Sequence, residues 1–225
     1  MRTADHMNLS RYIMDHMDAG ASKLQKAAFI FGSIEPDINM LTYFRGSIRG
    51  EEKLRGHNYE NVMKYMEKLT KKLEKGGMGT VRQSFLLGKL VHYVADSFTY
   101  PHNSIFSGNL REHCQYETEL HDYVNQMISS DNVNLDSIDD GIDIVEYLEE
   151  IHYRYVSEAL GCENDYRHIT HAISVVTERF WQTESVSVPS MRDVAIACKE
   201  HIPVTANVSM AAAGQTGMDA HTRVA

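Results

Sequence analysis

The 225-residue chain reads as an all-α protein, one multi-helix bundle over residues 1–203 followed by a disordered tail over 204–225. Three observations support this. Apolar residues recur at helical rather than alternating spacing through most of the chain. Capping residues and glycines cut it into stretches of helix length. One stretch, Ser84 to about Thr99, is apolar on nearly every side, as the central helix of a bundle must be.

Taken in order, Asp5 reads as the N-cap of a first helix ending near Gly20. A second runs from Ser22 to Phe31 and meets Gly32-Ser33-Ile34-Glu35-Pro36-Asp37. There proline disfavours helix at Glu35 and leaves Asp37 on a loop, where Glu35 reads as a solvated acid or as an outer partner of Asp37. Residues 39–56 read as an excursion of loop and short helix. Asn58 caps an amphipathic helix that ends in lysines and Gly76-Gly77. Thr80 to Gln83 is a capping-box pattern ahead of the apolar helix, which Pro101 ends. Further helices read over Leu110–Ile128, Ile142–Leu160, Asp165–Trp181 and Met191–His201. The tail has no apolar period.

Composition excludes several classes. Twenty-two Lys and Arg against 31 Asp and Glu give a net charge of −9, against the basic face that duplex nucleic acid requires. No run approaches the ~20 apolar residues of a membrane span. The N-terminal stretch lacks a signal peptide's pattern, and Cys114, Cys162 and Cys198 fit neither a disulfide framework nor a CxxC site. The expectation is a cytoplasmic protein whose metal ligands, if it holds metal, are His, Asp and Glu.

The twelve histidines carry the functional signal. His92 and Asp96 are four apart on the apolar helix and so share a face, where an unpaired imidazole and carboxylate are costly to bury. A hydrogen bond within the core satisfies that pair, and so does a metal ion. His102 follows Pro101, and His113 and Glu117 are again four apart. Five nitrogen and oxygen ligands within 26 residues point to a metal site, with zinc as a fitting ion and carboxylates able to bridge a pair.

The stretches GKLVHYVADSFTYPHN and REHCQYETELHDYV, with the GSIEPDI and RGHN segments upstream and His6 in the first helix, resemble the zinc-dependent phospholipase C / S1-P1 nuclease family over about residues 5–125. The order His, Asp, His, His-x3-Asp, His, His-x3-Glu carries the resemblance. It implies an all-helical phosphodiesterase with two or three Zn2+ ions. The first would take Asp37, His57, His92 and Asp96, and the second His102, His113 and Glu117. The third would take His6, with Asp96 bridging. Asp37 is either a ligand of the first ion or the base that orients the attacking water, since the family gives this position both roles. In the family the N-terminal tryptophan's amino and carbonyl groups complete the third site. Here Met1 stands first and the only tryptophan is Trp181.

The implied substrate is a phosphate ester, with phospholipid ahead of single-stranded nucleic acid. Tyr43, Phe44 and Phe106 are candidate walls by proximity in sequence, and Ile38 takes a place that is aromatic in choline-specific members. The acidic balance weakens the nuclease reading. A third reading is a helical metal-binding protein without turnover. Among the other histidines, His16 reads as surface and His121 as an outer hydrogen-bonding partner or surface residue. His121-Asp122 also matches the HD doublet of another metallohydrolase class, without that class's further ligands. Glu149-x-x-His152 is half of a di-iron signature and reads as surface. His168 and His171 read as solvated or locally bonded. The Lys68–Lys75 cluster alternates with glutamate and reads as a solvated helix face.

Overall fold

Seven α-helices and one 3-10 turn make up the described part of the chain, with no strand among those residues. The computed structural model describes residues 1–16, 20–39, 57–76, 79–131, 142–158 and 160–181. The excursion over 39–56 beyond Asn39, the break before the sixth helix, the Met191–His201 helix and the tail lie outside the described residues. We label the helices α1 (Thr3–His16), α2 (Lys23–Ile38), α3 (Tyr59–Lys75), α4 (Val81–Ser97), α5 (Leu110–Ser129), α6 (Ile144–Ser157) and α7 (Cys162–Phe180). The 3-10 turn spans Tyr100–His102.

The caps explain most boundaries. Ser22 and Asn109 each form a full capping box, with Gln25 and Glu112 reaching back to the cap N–H. The Thr80 and Asp143 side chains accept from backbone N–H groups of the first turn. α1 starts earlier than its sequence suggests. Asp5 lies at the third helical position, and its carboxylate accepts from the N–H of Arg2, so it secures the cap from inside the helix.

Asp37 is helical rather than on a loop. α2 runs through Pro36 to Ile38. Proline forfeits one backbone bond there, but its fixed φ is helical and the Asn39 N–H still closes the turn on the Glu35 carbonyl. Glu35 is consequently not a solvated loop acid: it pairs with the buried Lys89 at 2.5 Å.

α4 occupies the centre. It packs on α1, α2, α3 and α7, and its residues from Leu87 to Ser97 are all buried. Its closest partner is α2, which it meets through two glycines. A Cβ on Gly88 would stand 2.1 Å from the Phe29 carbonyl oxygen, and one on Gly32 would stand 2.2 Å from the Phe85 carbonyl oxygen. Two backbones this close bring Ser33 of α2 within reach of His92 of α4. The face of α3 that carries Lys71 and Lys72 is exposed, with Lys71 paired to Glu67, as a solvated face should be.

Candidate metal centre

His92 and Asp96 project from the inner end of α4 into a space ringed by the start of α1, the end of α2, the start of α3, the 3-10 turn and α5. All eight candidate ligands reach it. Three groups of donor atoms each lie within 4.8 Å of one another: His6, His92 and Asp96; Asp37, His57 and His92; His102, His113 and Glu117.

The first four-atom set has the dimensions of a metal site. His57 Nδ1 lies 3.2 Å from Asp96 Oδ2, 3.6 Å from Asp37 Oδ1 and 3.3 Å from His92 Nε2. His92 Nε2 lies 3.4 Å from Asp96 Oδ2 and 3.6 Å from Asp37 Oδ1. Four ligands held tetrahedrally about 2.0–2.1 Å from a zinc ion stand about 3.3–3.4 Å apart. Five of the six separations among Asp37, His57, His92 and Asp96 thus lie near that spacing, and the donor types suit zinc.

Two further contacts orient these donors. His92 Nδ1 donates to the Ser33 carbonyl at 2.8 Å, which turns the Nε2 lone pair inward. Thr3 Oγ1 donates to Asp37 Oδ2 at 2.8 Å and leaves Oδ1 facing the two histidines. Neither partner is legible in the sequence, because neither has a fixed spacing from the residue it holds.

Asp96 divides its two oxygens between donor sets. Oδ2 faces His57, His92 and, at 3.6 Å, His102 Nδ1. Oδ1 lies 3.2 Å from His6 Nε2 and accepts from the Met1 amino group at 3.1 Å. That amino group also stands 3.2 Å from Glu117 Oε1 and 3.3 Å from His102 Nε2. Glu117 Oε1 lies 3.3 Å from both His102 Nε2 and His113 Nε2. The Met1 amino group is a member of the cluster that spacing rules cannot find, since it belongs to the backbone.

The protonation states follow from the crowding. Burial opposes the charge on Met1, but the carboxylates of Asp96 and Glu117 outweigh it and raise the amino group to about 10. Burial also opposes the charge on Asp96. The Met1 ammonium with His102, His92 and His6 nevertheless holds its carboxyl well below the usual range. Burial, then His92, lowers His6 to about 4. Eight buried or half-buried imidazole and carboxylate donors gathered in one cluster are costly to hold without cations between them.

Support extends one turn outward. His121, four residues beyond Glu117 on α5, contacts the fully buried Asp5 at 2.5 Å, as an outer hydrogen-bonding partner should. His16 stacks on Tyr12 at the exposed surface, and His171 bonds Tyr147. His168 contacts Glu158 at 3.0 Å but is itself buried. His152 differs from expectation: it is buried, because α6 turns it inward onto Tyr59 and Asn103.

A cleft of about 620 Å³ opens over the cluster. Its ligand wall holds Asp37, His57, His102, His113 and Glu117, and Phe106, Pro101 and Leu110 supply apolar surface. Arg2, Thr3, Asn58 and Asn109 supply the other polar groups. Phe106 thus lines the site; Tyr43 and Phe44 lie outside the described residues. No described helix is long and apolar enough to cross a membrane.

A helical bundle that converges histidines and carboxylates beneath one cleft presents a donor set that could hold metal ions. The chain belongs to the zinc-dependent phospholipase C family, whose profile matches residues 5–162. That match starts one residue before His6 and contains all eight candidate ligands. Comparison with curated proteins and with solved structures gives no match.

Proposed function

We propose that the chain is a zinc-dependent phosphodiesterase of the phospholipase C type. Asp37, His57, His92 and Asp96 hold the first ion, His102, His113 and Glu117 the second, and His6 with Asp96 a third. The observation that carries this is the Asp96 carboxylate, buried with one oxygen on each of two donor sets. A bridging ligand requires that arrangement, and a single hydrogen-bonded core pair does not. Membership of the family supports zinc as the ion and a phosphate ester as the substrate.

Zinc bound there supplies a Lewis acid for the phosphoryl oxygens and a water acidic enough to lose its proton near neutral pH. The chain's own groups do the positioning. Asp37 is the carboxylate of the first set that lines the cleft, whereas Asp96 is sealed inside. The hydrogen bond from Thr3 Oγ1 to Asp37 Oδ2 supports Asp37 as the group that orients the attacking water. The Met1 amino group stands beside Asp96, His102 and Glu117, which supports it, once deprotonated, as a further nitrogen donor for the cluster. Phe106, Pro101 and Leu110 give the ester's organic portion an apolar wall.

A single-strand nuclease on the same cluster needs aromatic platforms for bases. Among the described residues, Phe106 is the one phenylalanine, tyrosine or tryptophan lining the cleft, which favours the phospholipase reading. Metal analysis of protein purified without chelator tests the core of the proposal. At least two zinc ions per chain are expected, with a loss in His92→Ala. Phosphatidylcholine, single-stranded DNA and bis(p-nitrophenyl) phosphate are then assayed in parallel. Turnover of DNA alone would overturn the substrate reading. Metal without any turnover would favour a binding protein.

A further inference from the structure

We infer that His152, which ligates nothing, is a positioning residue that locks three metal-ligand segments together. The inference rests on the zinc reading above. His152 sits on α6, outside the ligand series in the sequence. Its ring lies flat on Tyr59, with centroids 3.3 Å apart and planes 8° from parallel. Tyr59 opens α3, two residues after His57. On its edge, His152 Nε2 stands 2.7 Å from Asn103 Oδ1.

Asn103 leaves little freedom in how that bond is read. Its Nδ2 donates to the carbonyls of Ser97, at 3.1 Å, and Thr99, at 2.9 Å. The amide oxygen therefore faces His152, and His152 donates through Nε2–H. Both Nδ2 hydrogens and the amide oxygen of this buried asparagine are thereby engaged. Ser97 follows Asp96 in the chain, and Asn103 follows His102. The asparagine thus ties the end of α4 to the residue beyond the 3-10 turn, and His152 holds that asparagine.

One ring consequently supports His57 through Tyr59, His102 through Asn103, and Asp96 through the Ser97 carbonyl. These three ligands come from three segments and face two different donor sets. Burial keeps the ring neutral at pH 7, so it serves as a donor and a flat surface rather than as a cation. A group that holds ligand segments in register lowers the cost of assembling the site, and loss of such partners weakens metal binding about 10–100-fold.

His152→Phe keeps a flat ring over Tyr59 and removes the donor. Tyr59→Leu, at a half-buried position, removes the stack and keeps the donor; it carries the test if the first variant does not fold. The zinc dissociation constant is measured by competition with a chromophoric chelator, well below the unfolding midpoint, and the midpoint of metal-free protein is measured separately. Both His152→Phe and Tyr59→Leu are expected to weaken zinc by more than twofold, and by up to about 10-fold, the low end for a group bonded directly to a ligand. His152→Gln, which keeps an N–H donor, should recover much of the loss. A lower metal-free midpoint with zinc affinity within twofold of wild type in the folded variants would overturn the inference, since that is the outcome of a purely structural role. Wild-type protein that binds no zinc would overturn the underlying reading and this inference together. Wild-type affinity retained in the variants would overturn this inference alone.

Discussion

Gly88→Ala tests the architecture and the metal centre at once. In an exposed helix the change stabilises by about 1 kcal/mol, because glycine is the poorer helix former. Here the added Cβ would stand 2.1 Å from the Phe29 carbonyl oxygen and 2.9 Å from the Ser33 nitrogen, both backbone atoms, where ordinary contact begins at 3.4 Å. Relief requires α2 and α4 to part by 3.4 − 2.1, or about 1.3 Å. Overpacking of this kind costs about 1–3 kcal/mol. At about 2 kcal/mol the unfolding midpoint falls by roughly 4–8 °C for a domain of this size. The same displacement moves Asp37 and the Ser33 carbonyl, on α2, away from His92 and Asp96, on α4. Metal–ligand distances tolerate about ±0.2 Å, so zinc affinity should fall with stability. Calorimetry of metal-free protein gives the first quantity and chelator competition the second. A variant as stable as wild type, or about 1 kcal/mol more stable as propensity alone dictates, would refute the close contact and the geometry built on it.

The remaining predictions concern the carboxylates and pH. Asp96→Asn should lose more zinc per chain than Asp37→Asn, because Asp96 offers an oxygen to two donor sets and Asp37 to one; equal losses by elemental analysis would argue against bridging. Metal-free protein should lose stability as pH falls from about 6.5 towards 4. Burial lowers His152 to about 4, while the unfolded chain takes up the same proton near 6.5, so the unfolded state binds more protons across that window. His152's share is about 3 kcal/mol, and His6, also lowered to about 4, adds to it in the same window. Urea titrations at pH 7 and pH 5 should show His152→Phe losing much of that dependence; an unchanged slope would reassign it to other groups.

Much of the site was legible because α-helices convert spacing into geometry. His92 with Asp96, and His113 with Glu117, must each share a face wherever their helices go, so two pairs of donors follow from the sequence directly. The order of the remaining ligands supplied the rest of the set. The reading of His152 and of Glu35 went astray for one reason: burial is decided by the neighbouring helix, not by a residue's own neighbours in sequence. α6 turns His152 onto Tyr59, and α4 brings Lys89 to Glu35. Pro36 misled in the opposite direction. Its cost is one backbone bond near the end of α2, and packing against α4 outweighs that local preference.

The chain's periodicity and capping residues determine by themselves that it is helical, which helix is central, and which side chains are available as donors. Those are local properties, set within a few turns of one helix. Only the tertiary structure decides that Asp96 divides its oxygens, that Thr3 and the Ser33 carbonyl orient Asp37 and His92, and that the Met1 amino group enters the cluster. Each of those contacts joins residues from about thirty to nearly a hundred positions apart. The His92–Ser33 distance depends on how closely two backbones approach, which Gly32 and Gly88 settle by having no side chain where α2 crosses α4.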